Sequence, residues 1–82
     1  MNLVFEKGFE KEIAKADVRT RIKIKELIED ILQHPFEGIG KPEPLKYEFS
    51  GYWSRRIDKK NRLIYSINND DLIILSCEGH YN

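Results

Sequence analysis

Apolar residues follow two rhythms along this chain, and the change from one to the other divides it in half. Across Asn2 to Phe5, Leu3 and Phe5 fall on one side and Val4 on the other, the alternation of a short strand. Phe9, Ile13 and Ala16 then recur at i, i+4 and i+7, which is one face of a short helix. Ile24, Leu27, Ile28 and Ile31 repeat the helical spacing, with Arg21, Lys25 and Glu29 on the opposite, wetted face. Asp17 precedes this second run and predicts an N-cap, because its carboxylate can accept a bond from an amide that the helix leaves unpaired. His34-Pro35 ends the helix, since the residue before proline avoids the helical region. The two helices are expected to form an antiparallel hairpin that covers something flat.

After a loop at Pro35 to Pro44 (PFEGIGKPEP), the period falls to two. Leu45 to Phe49 alternates as a strand does, Ser50-Gly51 turns the chain, and Tyr52 to Asp58 reads as the next strand. Arg62 to Ile67 and Leu72 to Cys77 supply two more, joined by the hairpin cluster Asn68-Asn69-Asp70-Asp71. The pattern predicts an α+β fold: a short N-terminal strand and a two-helix hairpin packed on an antiparallel twisted sheet. At 82 residues this is one domain, 1–82, with one modest core. The turn around Lys59-Lys60 decides which residues share a face. A two-residue turn would put Arg56 and Arg62 on opposite faces. A three-residue turn with a left-handed Asn61 bulge pairs Asp58 with Arg62 and brings the two guanidiniums together, and the sequence favours it.

Charge changes the picture more than composition does. The chain is neutral overall, which excludes a generic polycation, yet Lys41 to Arg62 holds seven Lys and Arg against three acids. That segment is +4 and the other 60 residues carry −4. Tyr47, Phe49, Tyr52 and Trp53 are interleaved with its cations, a combination suited to a phosphate backbone with bases to stack. Glu43 stands in this field between Pro42 and Pro44, which stiffen the backbone on both sides. The longest apolar run, Leu72 to Leu75, is too short to cross a bilayer, and no charged-then-apolar leader opens the chain. The lone Cys77 excludes an internal disulfide and fits a reducing cytoplasm.

Each candidate has a plainer reading. Glu43 could be a loop acid paired with Lys41 or Lys46. Arg55 points opposite to Arg56 and is expected on a solvated strand edge. Lys59 and Lys60 read as turn solubilisers or ribosomal-RNA contacts, Trp53 and Tyr65 as core, and His34 as a cation at a helix C-terminus. Cys77 and His80 have a ligand-like spacing, but two ligands make no zinc site, so no metal is expected. Gly38 and Gly40 do not form a phosphate loop. Ser50 and Ser54 have no identifiable base, leaving nucleophilic catalysis unsupported.

From Pro35 to Tyr81 the chain carries PFEG-x-GKPEPLK, SG-[aromatic]-WSRRI, RL-x-Y and a closing HY. With these motifs it resembles the YoeB/Txe toxins of the RelE superfamily, and the N-terminal strand and paired helices fit as well. The resemblance implies a ribosome-dependent mRNA endonuclease silenced by an antitoxin that wraps it, of the YefM/Phd kind. It carries Glu43, Lys46, Arg56, Arg62, His80 and Tyr81 over as active-site positions. The tail departs from the family pattern at Glu78, Gly79 and Asn82.

The chemistry is consistent with that implication and needs no cofactor. RNA can be cut by its own 2′-OH attacking the adjacent phosphate, which calls for a base, donors for the charge on the phosphorane, and an acid for the 5′-oxygen. Glu43 suits the base if partial burial raises its pKa, and His80 the acid. Arg62 and Arg56 offer guanidinium forks, Lys46 a point charge, and Tyr81 a stacking surface or a proton relay. Lys59 and Lys60 join Lys46 and Arg56 as RNA-binding positions. The expected partners are mRNA, the 70S ribosome and the antitoxin, with a homodimer left open and DNA reached only through the antitoxin. The alternative is a module that blocks translation by occupying the ribosome, without using Glu43 or His80.

Overall fold

A computed structural model describes residues 1–79 of the chain. The second helical run is capped as its sequence requires: the Thr20 amide donates to the Asp17 carboxylate at 2.8 Å, and the helix runs Val18–Gln33, with His34 at its C-cap. In chain order the elements are β1 (Asn2–Phe5), α1 (Lys7–Lys15), α2 (Val18–Gln33), β2 (Glu43–Pro44), a single 3-10 turn (Tyr47–Phe49), β3 (Tyr52–Arg56), β4 (Arg62–Asn68) and β5 (Asp71–Ser76). The hairpin between β4 and β5 turns through Asn69, which takes the left-handed backbone (φ 57°) that such a turn needs.

The strands form one five-stranded sheet in the order β1-β5-β4-β3-β2. β2 to β5 are antiparallel neighbours, but β1 joins the edge of β5 in parallel, with Leu3 beside Leu72 and Phe5 beside Ile74. The sheet is therefore mixed rather than antiparallel throughout. Alternation predicts a strand but not its direction, and the long excursion through both helices returns the chain for either. Phe9 and one face of α2 (Ile24, Leu27, Ile28, Ile31) bury against Leu63, Tyr65, Leu72, Ile74 and Cys77. Trp53 packs at the margin of this core, its ring 4.9 Å from that of Phe36.

Two local expectations are corrected. Leu45 to Phe49 is not a strand. Only Glu43–Pro44 pairs with β3, after which the chain curls through the 3-10 turn, with Tyr47 at φ 58°. Its alternation misled because the apolar members share no buried face: Leu45 is 8% exposed and Tyr47 82%. The second correction is to the turn after β3, which contains no Asn61 bulge. Arg56 pairs directly with Arg62, and Ile57 to Asn61 close a longer loop. Within it the Ile57 and Asp58 amides donate to the Asn61 carbonyl, while the Asp58 carboxylate accepts from the Lys60 and Asn61 amides. That carboxylate outcompeted the bulge. The two arginines share a face all the same. Among the described residues no helix is long and apolar enough to cross a membrane.

Candidate functional site

Alternation along β3 and β4 sorts the site from the core. Trp53 and Arg55, opposite Tyr65 and Leu63, face the helices, whereas Ser54 and Arg56, opposite Ile64 and Arg62, face the other way. On the helix side Arg55 is fully buried, contrary to the expected solvated edge. Each of its five N–H donors is used. Nε donates to the Tyr65 hydroxyl, Nη1 to Asp30 and the Ile39 carbonyl, and Nη2 to the His34 and Glu37 carbonyls. The bond from Arg55 holds the Asp30 carboxyl below the usual carboxylate range, against the opposing pull of burial. Burial pushes the Tyr65 phenol up, with the Arg55 contact opposing, and its hydroxyl donates to the Pro35 carbonyl at 2.8 Å.

The loop after α2 is thus moulded around one cation. Gly40 is required there: a Cβ on it would lie 2.8 Å from Leu27 Cδ2 and 3.2 Å from the Arg56 carbonyl, at φ 79°. From this anchored stretch the chain passes over the sheet to the other face. The Gly40 carbonyl accepts from the Arg56 amide at 2.6 Å, and the Lys41 carbonyl from Arg62 Nη2 at 3.1 Å. Two residues on, Glu43 enters β2 opposite Ser54, and its Oε1 lies 3.8 Å from Arg62 Nη2.

Arg62 is the centre of this face. Its side chain is largely buried, and Nε donates to the buried Ser54 hydroxyl at 2.8 Å. Its amide donates to the Gly79 carbonyl at 3.1 Å, and the Gly79 amide donates to Asn61 Oδ1 at 2.9 Å. The last described residue is therefore fastened to the backbone of Arg62. His80 and Tyr81 lie outside the described residues.

Of the sequence candidates, the structure brings Glu43, Arg56 and Arg62 together. Glu43 is more open than enclosed: its side chain is 60% exposed. Lys46 is exposed and precedes the 3-10 turn, whereas Lys59 and Lys60 are exposed on the loop beside Arg62. Burial works against the Asp58 carboxyl, but the amides of Lys60 and Asn61 outweigh it and hold the group below its ordinary value. Cys77 is a core thiol, pushed up to about 12 by burial and by the nearby Glu12 and Glu78, and so stays protonated at neutral pH. The Glu12 carboxylate also accepts from the Cys77 amide and the Ser76 hydroxyl, capping the end of β5 beyond the reach of β1.

Sequence reasoning missed Arg55, Asp30 and Ser54 as a group. One signal was available. Arg55 is two positions from Trp53 on the same strand, so a core-facing tryptophan implies a core-facing arginine and an acid to meet it.

Comparison with known proteins identifies the family. Residues 8–81 match the family described as YoeB-like toxin of bacterial type II toxin-antitoxin system. Toxin YoeB of Escherichia coli (strain K12) is 52% identical over 67 residues, which is 82% of this chain and 80% of the relative. The YoeB/ParE toxin from Agrobacterium tumefaciens superposes with a TM-score of 0.93 at 37% identity, covering 99% of this chain and 100% of that one. The Staphylococcus aureus YoeB structures are 38% identical and cover 99% of this chain and 98% of theirs. Their TM-scores are 0.88 for a YoeB dimer and 0.86 for a heterotetrameric YoeB-YefM complex. With most of its length matched by the family and about half of the aligned residues identical in a relative, the chain belongs to the YoeB-like toxins of bacterial type II toxin-antitoxin systems.

Proposed function

We propose that this toxin is a metal-independent endoribonuclease that cuts mRNA on the ribosome, using the RNA 2′-OH as nucleophile. The observation that carries the reading is the meeting of Glu43 and Arg62 at 3.8 Å on an open face of the sheet, where a phosphate can reach both. Glu43 takes the 2′-OH proton as general base, and its exposure leaves it accessible to a substrate. Arg62 stabilises the charge that gathers on the phosphorane oxygens, in a guanidinium held ready before substrate arrives. His80 returns a proton to the 5′-oxygen, and in sequence it directly follows Gly79, which is tied to Arg62. The products are a 2′,3′-cyclic phosphate or its 3′-phosphate and a free 5′-hydroxyl. Arg56, Lys46, Lys59 and Lys60 hold the backbone of the RNA, and Tyr81 stacks on a base or assists proton transfer.

The same reading supplies the partners. A YefM-like antitoxin silences the toxin, as the Staphylococcus aureus complex suggests, and DNA is reached only through it. A toxin homodimer is part of the reading too, after the Staphylococcus aureus YoeB dimer. The setting is cytoplasmic, where ribosomes are.

Primer extension across a translated message in a reconstituted translation system tests the mechanism. Discrete new 5′ ends should appear with the wild-type chain and vanish with Glu43→Ala, Arg62→Ala and His80→Ala. Arrested translation with unchanged 5′ ends would replace cleavage by simple occupancy of the ribosome.

A further inference from the structure

Ser54 has no part in the chemistry above, yet it is 1% exposed and its hydroxyl accepts from Arg62 Nε at 2.8 Å. The second fixed acceptor on the same guanidinium is the Lys41 carbonyl, 3.1 Å from Nη2. Lys41 takes φ 51°, a left-handed backbone that a lysine adopts only where its surroundings impose it. What imposes it is visible on either side: the Gly40 carbonyl is bonded to the Arg56 amide, and Glu43-Pro44 is paired into the sheet.

A guanidinium is planar, so two acceptors on different nitrogens fix the orientation of the whole fork. One acceptor comes from the interior of β3 and the other from the loop strapped to the core. The remaining fork is Nη1, which has no partner among the described residues, together with the side of Nη2 that meets Glu43. We propose that Ser54 is a positioning residue: with the Lys41 carbonyl it locks the Arg62 guanidinium so that its Nη edge faces the scissile phosphate beside Glu43. The proposal rests on Arg62 being the phosphate-stabilising group. It adds that this donor is preorganised by a buried hydroxyl on the neighbouring strand, where sequence alone saw a serine without a base.

Single-turnover cleavage on mRNA-programmed ribosomes tests it with Ser54→Ala, Ser54→Thr and Arg62→Ala. Ser54→Ala should lower the maximal rate ~10-fold, short of the Arg62→Ala loss, with half-saturating toxin concentration unchanged, because a misaimed donor costs in the transition state and little in binding. The Arg62 Nε–H resonance should shift and exchange faster in Ser54→Ala. Ser54→Thr, which keeps a hydroxyl, should restore both the signal and most of the rate. Thermal melts identify any variant that is merely unfolded, and for such a variant the Nε–H signal of the folded fraction at lower temperature remains the readout. Wild-type rate in Ser54→Ala beside an impaired Arg62→Ala would overturn the positioning role alone. A threonine variant that recovers the resonance but not the rate would do the same. Wild-type rates in both Ser54→Ala and Arg62→Ala would instead sink the assignment of Arg62 itself.

Discussion

Arg55 and Arg62 stand on neighbouring strands, both largely buried, and face opposite sides of one sheet. Arg55 spends every N–H it has on the protein: a carboxylate, a phenol and three loop carbonyls. Among the described residues the Arg62 guanidinium makes two hydrogen bonds, to Ser54 and Lys41, and meets one carboxylate, Glu43, at 3.8 Å, beyond bonding distance. Burial therefore does not separate a structural cation from a functional one. Saturation does: a charge whose donors are all used holds the fold together, and a charge held firmly with donors left over can serve a substrate.

The largest effect should come from removing the saturated one. Arg55→Ala leaves Asp30 without its charged partner, takes a bond from the His34 carbonyl and leaves the Ile39 and Glu37 carbonyls without a donor among the described residues, and breaking such a pair costs ~3–5 kcal/mol. For a domain this small that is much of the total stability, so urea unfolding should begin at far lower concentration. Activity should fall with the folded fraction and recover at low temperature. Next comes Arg62→Ala, which should invert the pattern. Its urea midpoint should stay close to that of the wild type while ribosome-dependent cleavage drops ~10²–10³-fold. Equal losses of stability from the two variants would erase the distinction between them.

Much of this was legible in the chain itself. Helical spacing located α2, Asp17 marked its start and His34-Pro35 its end. Proline-flanked Glu43 and the strand arginines stood out as candidates for one face, and the structure brings Glu43, Arg56 and Arg62 together. What stayed hidden depends on partners distant in sequence. Arg55 meets Asp30 from 25 positions away, and nothing local tells a core-facing arginine from an edge one. The parallel docking of β1 on β5 joins the two ends of the sheet-forming chain, which alternation cannot encode. The loop after β3 was misread because a short-range carboxylate bond, Asp58 to two amides, competes with the bulge that Asn61 could have formed.

Smaller perturbations sharpen the contrast by touching the loop that links the two arginines. Gly40→Ala puts a methyl 2.8 Å from Leu27 Cδ2 at a left-handed backbone, and should cost ~1–3 kcal/mol. Because Gly40 adjoins the Lys41 carbonyl that steadies Arg62, this variant should also lose cleavage rate beyond its loss of folded protein. Tyr65→Phe acts only on the saturated side. It deprives Arg55 Nε and the Pro35 carbonyl of one bond each and should cost ~1–2 kcal/mol, with the cleavage rate of the folded protein unchanged. Reduced turnover per folded molecule in Tyr65→Phe would show that the two networks are less separate than their hydrogen bonds suggest.

The finest test uses acid. Asp30 gives up its proton more readily in the folded chain than in the unfolded one, because the Arg55 guanidinium bonds its charged form. Its contribution to stability is therefore complete above the unfolded carboxyl value, near ~3.9. It is lost as pH falls below that value and through the lower folded one, since the unfolded chain then binds a proton that the native chain refuses. Asp30→Asn removes one proton from this linkage. The variant should be less stable than the wild type at neutral pH, and the gap should narrow as the solution is acidified below pH ~4. The Asp17 and Asp58 carboxyls are also held low in the folded chain, so Asp30→Asn should keep a residual acid slope. Coincident urea titrations of the two proteins from pH 7 down to pH 3 would mean that Arg55 draws its stabilisation from the loop carbonyls alone. Arg55 would then be a cation held by dipoles, closer in kind to Arg62 than its carboxylate partner implies.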